Sequence, residues 1–152
     1  MRKTCLFVLA VLMLVPGAAS SQEAILEVLR SDIKAERVTL ITDMMMFTDE
    51  QAEVFWPIYR DMEHETDKLV DQRIALIKEY AENYDSMTDK VAKDIVGKAI
   101  KLREKRLSLE KKYYRKFSND LDPITAAKFY QINRELTTMM DIQVSSGLPF
   151  FE

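Results

Sequence analysis

From about residue 22 onward, apolar residues return at steps of three, four and seven, and no stretch alternates apolar and polar between turn signals. That period predicts helix throughout. The first helix is expected from about Gln22 to Met45, with a stripe of Leu26, Leu29, Ile33, Leu40, Met44 and Phe47. The second is expected from about Asp49 to Tyr84. Phe55, Met62, Leu69 and Leu76 repeat every seven residues there, and Tyr59, Thr66, Arg73 and Tyr80 lie between them. This is a coiled-coil-like seam with polar interruptions at Thr66 and Arg73. The third, about Asp89 to Phe117, is expected to bury Ile95, Ala99, Leu102, Leu109 and Tyr113, with Ile100, Leu107 and Tyr114 widening the face. The fourth begins at Asp122-Pro123, where Asp caps and Pro takes the first helical position. It runs to about Ile142 and carries Phe129, Ile132, Leu136, Met139 and Met140.

The joints YDSMTDK (84–90) and FSNDLDP (117–123) are short, so successive helices should be antiparallel neighbours. No linker rich in glycine or serine divides residues 20–144, which read as a single all-helical domain. The expected fold class is all-α, an elongated four-helix hairpin arrangement. A second helix of about 36 residues is about 54 Å long, whereas a compact domain of this size has a radius of gyration of roughly 14 Å. An incompletely covered apolar face should therefore meet a second subunit or a partner.

The chain ends add context. Arg2-Lys3, then CLFVLAVLMLV (5–15), then the small, polar PGAASSQ (16–22) follow the order of a secretory signal peptide. The apolar run is too short to span a bilayer. Residues 1–19 are expected to be removed, with cleavage between 19 and 22, and no stable membrane insertion is expected. The sole cysteine, Cys5, leaves with that segment, so the exported chain has no disulfide. At the other end, residues 145–152 form an apolar tail with Leu148, Phe150 and Phe151.

Charge is distributed unevenly. Without Arg2 and Lys3, 20 of the 22 basic residues remain against 25 acids, a net of −5. Nothing in that balance favours nucleic acid. Residues 48–85 carry eleven acids and four bases, whereas 98–116 carry nine bases and two acids. The second and third helices should attract each other along their length.

Phe47-Thr48-Asp49-Glu50-Gln51 reads as a capping box. Thr48 accepts from the amide of Gln51, and the Gln51 side chain reaches back to the amide of Thr48. Pro57 then falls inside the helix and is expected to kink it among Phe55, Trp56, Ile58 and Tyr59. This FTDEQ stretch at the head of a long helix resembles the L-T-x-x-Q motif of the Spy/CpxP family of periplasmic proteins. Thr48 and Gln51 match the motif, with Phe47 in place of leucine. A second motif copy near the last helix is echoed by Ile124-Thr125, with Lys128 where glutamine would stand. The resemblance implies an exported, all-helical, disulfide-free protein of the periplasm that forms a curved antiparallel dimer. It further implies an ATP-independent chaperone or a regulator of an envelope stress response.

Other chemistry finds little support in the residues. Met44, Met45 and Met46 are consecutive and point about 100° apart on a helix, so they cannot converge on a metal unaided. His64-Glu65 begins a zinc-helix pattern, but position 68 is lysine. No nucleophile elbow and no phosphate-cradling glycine loop is present. No metal, no cofactor and no enzymatic activity is expected. The leading expectation is a chaperone-like protein that binds unfolded or partly folded exported proteins on an amphiphilic helical surface. The residues expected to contact clients are Met44, Met45, Met46, Phe55, Trp56, Ile58, Tyr59 and Met62, with Arg103, Lys105, Arg106 and Lys112. The alternatives are an adaptor that docks on the periplasmic domain of a sensor kinase, and a methionine-based copper sensor.

Overall fold

The computed structural model describes residues 18–146. Residues 1–17, which include most of the expected signal segment, and the expected apolar tail from Gly147 lie outside the described residues. The fold is all-α. Its elements are α1 (Ala18–Met45), α2 (Asp49–Asn83), α3 (Asp89–Asp120) and α4 (Pro123–Ser146), with a 3-10 turn at Tyr84–Ser86 between α2 and α3. No strand occurs among the described residues. Helix α1 is already formed at Ala18, ahead of the expected Gln22, and α3 runs on to Asp120 rather than Phe117. Neither extension meets a glycine or proline that would stop it.

The helix starts follow from local side chains. Thr48 caps α2 in the extended conformation, and both arms of the capping box are present. Thr88 caps α3 by accepting from the amide of Val91 at 3.3 Å. Asp122 caps α4 with one carboxylate oxygen that accepts from the amides of Ile124 and Thr125, at 3.0 and 2.9 Å. Helix α2 continues through Pro57 as one element. The carbonyl that loses its donor belongs to Glu53, one turn back, and both residues are exposed, so water can take it.

The chain divides into two compact units, one ending at Leu40 and one beginning at Ile41. In the first, Ile33 and Leu40 of the α1 stripe are solvent-exposed. The second holds the core. There α2 packs on α3 and α3 on α4. Phe55, Phe117 and Phe129, one from each of these helices, form a triangle with ring centroids 4.7 to 5.0 Å apart. Tyr59 stacks on Phe55 at 5.7 Å. Ile41, Met45, Ile58, Tyr113, Ala126 and Ile132 are buried with them. Each aromatic pair contributes about 0.5–1.5 kcal/mol beyond simple burial. Tyr80, Tyr84 and Ile95 close the far end of the α2–α3 hairpin, with the two tyrosine rings 5.6 Å apart.

Two expectations about the core need correction. Ile100, Leu107 and Tyr114 do not widen the buried face of α3 but are exposed. They lie roughly a third of a turn from the row formed by Leu102, Leu109 and Tyr113, and that row already faces the hairpin interior. Met139 and Met140 of α4 are likewise exposed. The apolar period there continues beyond the level at which α4 has a core to fill.

Candidate functional site

The sequence motif sits at a junction of three helix ends. The Thr48 amide donates to Gln51 Oε1 at 3.2 Å, and the Gln51 amide donates to Thr48 Oγ1 at 3.3 Å. The other end of the Gln51 side chain is also engaged: Nε2 donates to Thr125 Oγ1 at 3.3 Å. Thr48 and Gln51 of the first motif and Thr125 of its echo therefore meet across α2 and α4. Lys128, which stands in the glutamine position of the echo, donates from Nζ to the Met45 carbonyl at 3.0 Å. It places a positive charge at the C-terminus of α1, where the helix dipole favours one. Met46 follows with φ of 53°, the left-handed conformation that ends many helices. Its amide donates to the Thr42 carbonyl at 3.2 Å. Asp122 at the α4 start has its carboxyl held below the usual range, by the hydrogen bond with the Thr125 side chain and by the backbone amides it accepts from.

Around this junction lies the aromatic cluster. Phe47 packs on Phe55 at 4.4 Å, and Trp56 lies edge-on to Phe55 and Tyr59 at 5.0 and 5.5 Å. Phe55, Ile58, Tyr59 and Met45 are each no more than 4% exposed. These four expected client residues are core residues, and a client would meet them only if the helices parted. Trp56 and Met62 are half-buried. Met44 is exposed, and Met46 is the most open of the three methionines at 80%. One buried methionine thus separates two that face solvent.

The basic residues expected to receive clients divide in the same way. Along the α2–α3 hairpin, Lys98 pairs with Glu79, Lys105 with Gln72, Lys112 with Glu65 and Lys116 with Asp61, at 2.5 to 3.4 Å. Each seven-residue step forward on α3 is matched by seven residues back on α2. Three opposite-charge pairs and the Lys105–Gln72 bond thus follow one antiparallel register. Tyr113 adds a bond from its hydroxyl to Glu65 at 2.9 Å. The hydrogen bond from Lys112, then that from Tyr113, holds the Glu65 carboxyl below its ordinary range. Burial, together with Glu65, pushes the Tyr113 hydroxyl up to about 12. The groove between the two helices is lined by all of these pairs except Lys98–Glu79, and by His64, Lys68, Lys101, Glu104 and Ser108.

Arg106 is engaged as well. It donates to one oxygen of Asp141 at 2.8 Å, and Arg73 donates to the other at 2.5 Å. Three helices thus meet at one carboxylate. Burial acts to raise the Asp141 carboxyl, but the two arginines outweigh it and hold it below its ordinary range. Of the four basic residues expected to meet clients, Arg103 alone makes no hydrogen bond or ion pair with the described residues. The Asp141 clamp was not anticipated. Its one sequence signal is Arg73 within the apolar seam, which asks for an acidic partner.

No family model, curated protein or solved structure matches this chain. Function must therefore be argued from the residues themselves. No group of His, Cys, Asp and Glu among the described residues has the geometry to hold a metal ion, and no described helix is long and apolar enough to cross a membrane.

Proposed function

We propose that the protein is an exported, Spy/CpxP-like helical protein of the periplasm that binds unfolded or partly folded proteins without ATP. The observation that carries this reading is the exposure of Met44, Met46, Met139 and Met140 on a chain whose core is filled by aromatic rings. Methionine is unbranched and polarisable, so an exposed set can adapt to many apolar partners. The motif residues Thr48 and Gln51 and the second-copy Thr125 meet at one junction, as two copies of a single local design would. In this reading Phe55, Ile58 and Tyr59 support the fold, and clients bind the methionines with Trp56 and Met62 at the margin. A second subunit in an antiparallel dimer would cover Ile33 and Leu40 of α1, which are exposed in the single chain.

The test is aggregation of a chemically denatured model protein, diluted into buffer with chelator and without nucleotide, with the processed chain at stoichiometric ratios. Suppression that falls several-fold in Met46→Asp and Met139→Asp, both exposed sites that leave the core intact, supports the reading. Absence of suppression at several-fold excess of folded protein rejects it. Tight, one-to-one capture of a sensor-kinase periplasmic domain would then favour the adaptor.

A further inference from the structure

Helix α3 carries a second apolar row that the bundle does not use. Val96, Ile100, Leu107 and Tyr114 follow one another at steps of four, seven and seven, each between 39% and 52% exposed. The row runs about 27 Å at the helical rise. Its C-terminal end is held beside α4, where the Tyr114 and Tyr130 rings meet edge-on at 5.9 Å.

The positive charge of α3 is divided between two flanks. Lys98, Lys105, Lys112 and Lys116 on one flank all have partners on α2. Lys93, Arg103, Lys111 and Arg115 border the apolar row at helical spacing. All four are exposed, and none makes a hydrogen bond or ion pair with the described residues. Glu104 and Glu110 lie along the same stretch, and Glu110 is paired with Arg106. The hairpin pairs Lys98, Lys112 and Lys116 with acids of α2 and leaves another flank of α3 as an apolar row edged with cations that have no acidic partner among the described residues.

We propose that this face of α3 docks on an anionic lipid surface. Ile100 and Leu107 would enter the acyl boundary, Tyr114 would lie at headgroup depth, and Arg103, Lys93, Lys111 and Arg115 would meet headgroup phosphates. A helix with an apolar row flanked by Lys and Arg adsorbs to such surfaces in the plane of the interface. A ridge suits a bilayer better than a protein segment, which binds most readily in a groove. The groove between α2 and α3 runs along another flank of α3 and is lined largely by charged side chains. Adsorption of this kind needs no spanning helix.

The test is co-sedimentation of the processed chain with vesicles of phosphatidylglycerol and phosphatidylcholine in equal parts, and with phosphatidylcholine alone. All variants share the same N-terminus, so that segment contributes equally to each. Binding to the anionic vesicles is expected, with little to the neutral ones. Arg103→Gln with Lys111→Gln should lower partitioning about 30-fold, from the loss of two juxtamembrane charges. Lys98→Gln with Lys112→Gln, both paired with acids of α2, should change it less than about twofold, since paired cations are already satisfied. In a Leu107→Trp variant that also carries Trp56→Phe, the emission of the single indole should move to the blue on anionic vesicles only. Equal binding to neutral vesicles, equal sensitivity of the two charge pairs, or an unshifted Leu107→Trp emission would overturn the proposal. So would capture of a soluble peptide of alternating Glu and Leu in place of vesicles, which would make this a protein-docking face. Client suppression by the methionine surface is read separately, so failure of one proposal leaves the other standing.

Discussion

Gln51 and Thr125 are 74 residues apart in sequence, yet the Gln51 side-chain amide donates to the Thr125 hydroxyl at 3.3 Å. The same side chain accepts from the Thr48 amide. One residue therefore both starts α2 and ties that start to the start of α4. Gln51→Ala should lose about 1 kcal/mol from the cap and about 1 kcal/mol from the cross-helix bond. Thr125→Val should lose the latter together with the bond of its hydroxyl to Asp122. A double-mutant cycle by urea denaturation should return a coupling of at least about 0.5 kcal/mol. Additive losses would mean that the bond does not contribute in solution.

Asp141 links stability to acid pH. Arg73 and Arg106 hold its folded-state carboxyl below the ordinary value of 3.8. Its contribution is therefore present above the unfolded-state value and is lost as pH falls through the folded-state value. The carboxylate is about a third exposed, which limits each arginine pair to under about 1 kcal/mol. The denaturation midpoint of the natural chain should fall on acidification below the ordinary carboxylate range. Asp141→Asn should be less stable at neutral pH and should lose less over the same titration. Parallel pH curves would count against the clamp.

The aromatic triangle and the exposed methionines should separate cleanly in a stability scan. Phe129→Ala removes a ring packed on both Phe55 and Phe117. It should cost about 3–5 kcal/mol. Met139→Ala, at 66% exposure, should stay within about 0.5 kcal/mol of the natural chain. Comparable losses at the two sites would mean that the α4 methionines are covered in solution by another subunit.

Two backbone positions invite substitutions of opposite kind. Gly97 lies within α3, and a Cβ built there meets nothing within 4 Å. Gly97→Ala should stabilise by about 0.5–1 kcal/mol. Met46 occupies a left-handed conformation that suits glycine better. Met46→Gly should raise the melting temperature modestly while weakening client suppression, since it deletes one of the proposed client contacts. A fall in melting temperature for either variant would contradict the local geometry described above.

Much of this architecture was legible in the sequence because it rests on short-range rules. The Thr48–Gln51 box, the Asp122-Pro123 start and the helical period each involve residues within a turn of one another. The pairing of acidic α2 with basic α3 was legible too, since charge blocks of that length can hardly avoid each other. What escaped depended on rotation and on distant partners. A step of seven marks Ile100, Leu107 and Tyr114 as one face, but it does not say whether that face turns inward. Phe55, Ile58 and Tyr59 gave the same apolar signal as a binding surface, and only the rings of Phe117 and Phe129 made them core. The bonds from Lys128 to Met45 and from Arg106 to Asp141 join residues whose proximity no local pattern announces.

The ladder of lysines and their partners gives the α2–α3 hairpin the character of a ruler. Its rungs Lys98–Glu79, Lys105–Gln72 and Lys112–Glu65 are one heptad apart on both arms. A hairpin shortened by seven residues in each arm between two rungs would keep every remaining partner opposite its own. A deletion of seven residues in one arm alone would set lysines against the wrong turn. The length of the protein is thus quantised, and descendants of this sequence would be expected to grow or shrink in matched steps.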